Sequence, residues 1–229
     1  MDHLSTKKYD ADLQKIAHYK AFPLMMPYVG PSYKSDRHKK LLLIGESFYL
    51  PPESTVHKNA NEWYKKNASV LNEEEIRYLD CRGLLEGDWV GGTGHTMYLE
   101  IDRCLRTCIS GLKDNERATS HIAYTNAFLR PASESGKSFK FCCEDIDRKV
   151  SVEVIDAVVK SLQPDFVIYL TRFGWDEYSY DGVGELVAGL NPSVAFEHVN
   201  HPTSPAYNDK SKKCGREQLI DLLKTKFIS

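Results

Sequence analysis

The sequence predicts an α/β domain built on a parallel sheet with helices on both faces. Three observations lead there. Four short apolar runs, at residues 40–44, 121–125, 166–170 and 194–199, have the length and the β-branched and aromatic content of buried strands. Between them lie segments whose apolar residues recur at helical spacing, and that alternation favours parallel strands joined by helical crossovers. Two of the runs lead into polar loops, Gly45-Glu46-Ser47-Phe48-Tyr49 and His201-Pro202-Thr203-Ser204-Pro205. In an open α/β sheet the loops at the carboxyl ends of the strands converge on one crevice, where ligands bind. Two loops far apart in sequence are therefore expected to form one site.

Residues 10–19 predict a short amphipathic helix with Leu13, Ile16 and Ala17 on one face. The Pro- and Gly-bearing stretch 22–33 breaks regular structure, and its Leu24-Met25-Met26 cluster is expected to cover a core edge. After the first strand, Pro51-Pro52 stops any immediate helix. Residues 59–66 predict a helix, and Asn72 with Glu75 has the capping-box pattern that opens another through Leu79. Residues 87–94 form a glycine-rich loop that fits neither the Walker nor the dinucleotide pattern, so a lid is expected there. A stronger helix spans 96–109, with Tyr98, Ile101, Leu105 and Ile109 on one face. The second strand ends at Asn126, followed by Arg130-Pro131 and a polar loop at 133–140. Helical spacing returns at 150–162, and Pro164 closes it before the third strand. Short helices at 181–190 and 218–227 flank the fourth strand.

The length of 229 residues suits one large domain, here taken as residues 1–229 with 1–39 as a helical and loop extension packed on it. Apolar residues at 41% and charged residues at 27% are ordinary for a globular chain. A net charge of −2 provides no global basic field to hold nucleic acid non-specifically. The best local basic cluster is Lys210, Lys212, Lys213 and Arg216, read as the solvated first turn of a helix. No apolar stretch approaches the about 20 residues of a membrane span, and the polar N-terminus lacks a signal-peptide core, so a cytoplasmic protein without membrane contact is expected. Six cysteines without CxxC spacing read as reduced core thiols, with no metal or other cofactor expected.

Each candidate site residue has two readings on sequence alone. Gly45 permits a sharp turn or a close ligand approach, with Glu46 and Ser47 beside it, and it equally suits an ordinary strand-to-helix turn. Asn126 offers an acceptor and two donors that match a base edge, and asparagine also serves where strands end. His201, two residues past a strand and before proline, is held extended; its imidazole suits hydrogen-bond donation or acid–base work, or simply a surface turn.

The segments Leu42-Leu43-Ile44-Gly45-Glu46-Ser47, Tyr124-Thr125-Asn126-Ala127-Phe128-Leu129-Arg130-Pro131, Leu162-Gln163-Pro164-Asp165-Phe166-Val167-Ile168-Tyr169-Leu170 and His201-Pro202-Thr203-Ser204 occur in that order. Together they resemble the uracil-DNA glycosylase superfamily from about Lys40 to Asn208. The resemblance implies a three-layer α/β/α sandwich around a four-stranded parallel sheet. It also implies a base flipped into a pocket at the strand ends and hydrolysis of its N-glycosidic bond. By position, Gly45 and Glu46 would line the pocket and place water, with Ser47 beside them and Phe48 or Tyr49 against the base. Asn126 would read the base edge, and His201 would donate to the developing anion. Thr203 and Ser204 would touch the nucleic-acid backbone. DNA or another nucleobase-containing ligand is the implied partner. The chain departs from the best-known branch in having no aspartate in the first loop and no leucine wedge after His201, where Tyr207 stands in. The first cysteine, Cys81, lies downstream of the first motif, so no iron–sulfur cluster is expected.

Two other functions compete. One is a non-catalytic base-binding module of the same fold. The other is an SGNH-type esterase with Ser47 as nucleophile and His201 as its base.

Overall fold

The computed structural model describes residues 5–87, 96–134, 136–180, 194–204 and 213–228. Its helices and strands in chain order are α1 (Asp10–Leu13), α2 (Ala17–Ala21), β1 (Tyr28–Val29), β2 (Leu41–Ser47), α3 (Ala60–Trp63), α4 (Glu73–Leu79), α5 (Cys81–Glu86), α6 (Thr96–Cys108), β3 (Ala123–Phe128), α7 (Asp145–Leu162), β4 (Phe166–Tyr169), α8 (Arg172–Tyr180), β5 (Ala195–His198) and α9 (Gly215–Leu222). The expected glycine-rich lid (from residue 88 onward), the helix at 181–190, Lys210, Lys212 and Tyr207 lie outside the described residues.

The chain is α/β, and its sheet has five strands in the order β1-β3-β2-β4-β5. Neighbours β3 and β2, β2 and β4, and β4 and β5 pair in parallel. The expectation of a four-stranded, purely parallel sheet needs correcting at one edge. Tyr28 pairs with Tyr124 and Val29 with Ala123 in the antiparallel sense, so the sheet is mixed. Two residues are too few to show a strand period, and Pro27 and Gly30 beside them signal only a break. The N-terminal segment contributes side chains to the core. Leu13, Tyr19, Phe22, Met25, Val29 and Tyr33 are buried in the same core as the sheet.

β2 holds the centre. Leu41, Leu42, Leu43 and Ile44 are fully buried, which a strand covered on both faces requires. Pairing continues past the apolar run: Gly45 lies opposite Asn126 and Ser47 opposite Phe128. The first candidate loop is therefore the last turn of pleat in β2, and Asn126 sits inside β3 rather than after it.

Capping explains the helix limits. Asn72 Oδ1 accepts from the Glu75 N–H, and Glu75 returns Oε2 to the Asn72 N–H, both at 2.9 Å, as the capping box predicts. α6 matches its expected span to within a residue. α7 begins five residues earlier than its apolar spacing shows, because Glu144 and Asp147 form a second reciprocal cap. It ends where Gln163 takes a left-handed φ of 47°. The expected helix at 10–19 is split into α1 and α2. α8 is rich in aromatic residues and carries a glycine, and it escapes periodicity. No described helix is long and apolar enough to cross a membrane.

A buried ion pair joins the loops around β3. Arg130, 1% exposed, donates through Nε to Asp147 Oδ1 at 2.9 Å and through Nη2 to Oδ2 at 2.6 Å. Its other N–H groups reach the His57 carbonyl at 3.2 Å and the Cys142 carbonyl at 2.5 Å. Asp147, fully buried, also accepts from the Tyr64 hydroxyl and the Glu144 N–H, each at 2.8 Å. Replacing one partner leaves the other charge buried and uncompensated. Asp147→Asn is expected to cost about 3–5 kcal/mol in urea unfolding, and Arg130→Met in that background should recover part of the loss. An Asp147→Asn variant as stable as the wild type would contradict this account.

Candidate functional site

The candidate residues sit where the parallel strands end. Gly45 is a glycine because its neighbours need the space. A Cβ there would stand 2.1 Å from Tyr124 Oη and 2.3 Å from Asn126 Oδ1, distances no real contact tolerates. Tyr124 precedes Asn126 by two residues, so both point to the same face of β3, and the Tyr124 hydroxyl donates to Asn126 Oδ1 at 2.9 Å. The glycine thus seats a tyrosine–asparagine pair that is buried against β2.

Glu46 ties the strand ends together. Its Oε1 accepts from the Phe139 N–H at 2.6 Å, and its Oε2 accepts from the Thr171 hydroxyl at 2.5 Å. Phe139 is in turn stacked on Phe128 at 4.5 Å, and Phe128 on Phe173 at 5.3 Å. One carboxylate therefore bridges β2 to the turn before α7 and to Thr171, two residues past β4. Its charge is felt further. Burial and then the Glu46 carboxylate both raise the Tyr49 phenol pKa. Loss of water around the ring lowers the His201 pKa, and Glu46 opposes that shift.

His201 follows β5. The exit from the strand is fixed by α9: the Asn200 N–H donates to Gln218 Oε1 at 2.8 Å, and a Cβ on Gly215 would lie 2.2 Å from the Asn200 carbonyl. The ring itself is held by Thr203, whose hydroxyl meets Nδ1 at 2.8 Å and whose N–H donates to Nδ1 at 3.3 Å. A backbone N–H only donates, so Nδ1 presents its lone pair. In the neutral ring the proton then sits on Nε2. His201 as a residue is exposed, although protein atoms surround enough of its ring to lower its pKa.

The other expected residues are dispersed in role. Phe48 is buried and belongs to the core, whereas Tyr49 is half-buried and donates its hydroxyl to the Lys137 carbonyl at 3.3 Å. Ser47 Oγ is buried without a hydrogen-bond partner, so it makes no bond to His201. The Ser204 N–H donates to the His201 carbonyl at 2.8 Å. A cleft of about 250 Å³ lies elsewhere, lined by Pro51, Ser54, Val56, Asn72 and Glu75 among others, and by none of these residues. Among the described residues no group of three or more His, Cys, Asp or Glu side chains is placed to hold a metal ion.

Sequence reasoning missed Tyr124, Phe139 and Thr171. Two signals were available: Tyr124 shares a strand face with Asn126, and Thr171 directly follows the third apolar run. Nothing in the polar loop at 133–140 marks the Phe139 N–H as the partner of Glu46. The chain matches no protein-family model and no curated protein.

Two outcomes test this geometry. Gly45→Ala is expected to destabilise the protein by about 1–3 kcal/mol through overpacking. Tyr124→Phe, which removes the nearer clashing atom, should rescue part of that loss in a double-mutant cycle; strict additivity would refute the contact. By NMR titration His201 should have its midpoint below the ordinary value of about 6.5. Glu46→Gln should lower it further, since the carboxylate is what opposes the downward shift; an unchanged or raised midpoint would separate the two residues.

Proposed function

We propose that the strand ends around Gly45, Glu46, Asn126 and His201 bind a nucleobase and that the protein hydrolyses an N-glycosidic bond, within the three-layer α/β/α sandwich that resemblance to the uracil-DNA glycosylase superfamily implies. The observation that carries the reading is the Thr203 N–H donated to His201 Nδ1, which leaves the proton of a neutral ring on Nε2. The lowered pKa keeps the ring neutral near pH 7, so Nε2–H donates a hydrogen bond to the oxygen of a departing base anion. The charge of Glu46 lies within reach of that ring and would stabilise the cation-like sugar. Its two hydrogen bonds hold it in place and leave further lone pairs for a water. Asn126 reads the base edge, Tyr49 supplies the pocket's aromatic wall, and Thr203 positions His201, which leaves phosphate contact to Ser204.

A second reading is a non-catalytic base-binding module. It is favoured by the internal hydrogen bond that each Glu46 carboxylate oxygen already makes and by the net charge of −2, which suits a small ligand better than scanning of duplex DNA. No observation favours the esterase. A nucleophilic Ser47 needs a ring nitrogen that accepts its proton, and Nδ1 is occupied while Nε2 carries hydrogen.

Oligonucleotides containing uracil, hypoxanthine or xanthine, single- and double-stranded, test the proposal. Excision of at least one is expected, with His201→Ala slower by about 10²–10³-fold. Failure to cleave any of them, with wild type and variant alike, would exclude hydrolysis. Binding of such oligonucleotides without cleavage, weakened by Asn126→Ala, would establish the second reading instead.

A further inference from the structure

At the opposite end of the sheet, where β2 and β3 begin, two buried histidines form an unbroken hydrogen-bonded chain. His38 Nδ1 lies 2.9 Å from the Lys39 carbonyl. His38 Nε2 lies 2.8 Å from His121 Nδ1, and His121 Nε2 lies 2.9 Å from Glu116 Oε1. His38 is 8% exposed and His121 3%. All four ring nitrogens are engaged, which fixes both ring orientations.

Counting protons makes the chain informative. The Lys39 carbonyl only accepts, so His38 Nδ1 must carry hydrogen. An ionised Glu116 only accepts, so His121 Nε2 must carry hydrogen too. The central N···N contact needs a third. Two neutral imidazoles hold only two N–H groups. We propose that the His38–His121 pair holds one proton beyond two neutral rings in the folded protein, and that this proton latches the amino-terminal end of the sheet.

The surroundings agree. Hydrogen bonding to His121 holds the Glu116 carboxyl below its usual range, so it remains the counter-charge. Glu116 Oε2 accepts from the Lys113 N–H at 3.3 Å. Burial lowers the His38 pKa, the bond to the Lys39 carbonyl opposes that, and the charges of His121 and Arg37 push downward again, so a second extra proton is disfavoured. Arg37 also faces Glu116. Arg106 donates to the Glu116 carbonyl and lies 3.5 Å from Asp102, which accepts from the Thr119 N–H at 3.2 Å. The latch joins three parts of the chain. The His38 ring packs on Phe227 at 4.6 Å, and the Lys39 N–H donates to the Phe227 carbonyl at 2.9 Å. One proton thus ties the start of β2, the segment leading into β3 and the turn after α9.

The linkage has a definite sign. Above the ordinary histidine pKa of about 6.5, the folded pair holds one extra proton that the unfolded pair lacks, so stability falls as pH rises through the folded midpoint. Well below that value the unfolded chain holds two extra protons and the folded pair one, so stability falls again as pH drops. The pair titrates as a unit.

Glu116→Gln isolates the effect. A glutamine can keep its oxygen on the Lys113 N–H and donate its amide to His121 Nε2, which satisfies every bond with two neutral rings. In wild-type protein, ¹⁵N NMR of the imidazoles about one pH unit above the ordinary value should show His121 protonated on both nitrogens and His38 on Nδ1. The pair's deprotonation midpoint should lie at a higher pH than that of an exposed histidine, at a proton concentration at least tenfold lower. In Glu116→Gln both rings should be neutral with hydrogen on Nδ1, and the high-pH loss of thermal stability should disappear. Two neutral rings in the wild type at that pH, or a variant with the same titration and the same high-pH limb, would overturn the proposal. The wild-type spectrum decides the matter even where the variant folds poorly.

Discussion

Everything at the carboxyl end of this sheet leans on the buried pairing of Arg130 with Asp147. The guanidinium closes the exit of β3 onto the first turn of α7, takes carbonyls from two other loops, and lies 5.2 Å over the Phe139 ring. Such a pair is costly to desolvate, and replacement by apolar residues often stabilises a protein. Its use here is geometric. It fixes the turn that carries the Phe139 N–H, and that N–H is one of the two donors holding Glu46. A hydrophobic substitute would fill the space without aiming that donor.

From Glu46 the constraint passes to the candidate site. A carboxylate at the end of the central strand, held from two sides, sets the local potential for Tyr49 and for His201, which arrive on different segments. The result is pre-organisation, with polar groups satisfied by one another before any ligand comes. Glu46 in particular has both carboxylate oxygens hydrogen-bonded within the protein.

Much of this was legible in the sequence where local physics decides. The four apolar runs became strands, the Asn72–Glu75 cap formed as its spacing requires, and Gly45, Glu46, Asn126 and His201 fell at the ends of parallel strands. The failures have a common cause. β1 exists only because β3 offers an edge, and α7 starts early because a carboxylate cap outranks apolar spacing. Phe139 reaches Glu46 because a buried ion pair holds its turn. Thr203 read as a contact for something outside the protein, and its hydrogen bond to a histidine two residues away was not legible. Each of these depends on partners distant in sequence or on atoms whose direction no periodicity encodes.

The Tyr124–Asn126 contact shows how such internal satisfaction shapes the end of β3. A free carboxamide can flip and exchange its donor and acceptor, so it serves a carbonyl-plus-N–H edge and an amino-plus-nitrogen edge equally well. The Tyr124 hydroxyl donates to Oδ1 in the structure, a bond worth about 0.5–1.5 kcal/mol net. Because a phenol can also accept, Tyr124 holds the Asn126 side chain in position on β3 without by itself dictating which end of the amide faces which way. Gly45 is the condition for that placement, since any larger residue would push both side chains aside. The glycine that first reads as room for a ligand is better understood as room for the Tyr124–Asn126 pair.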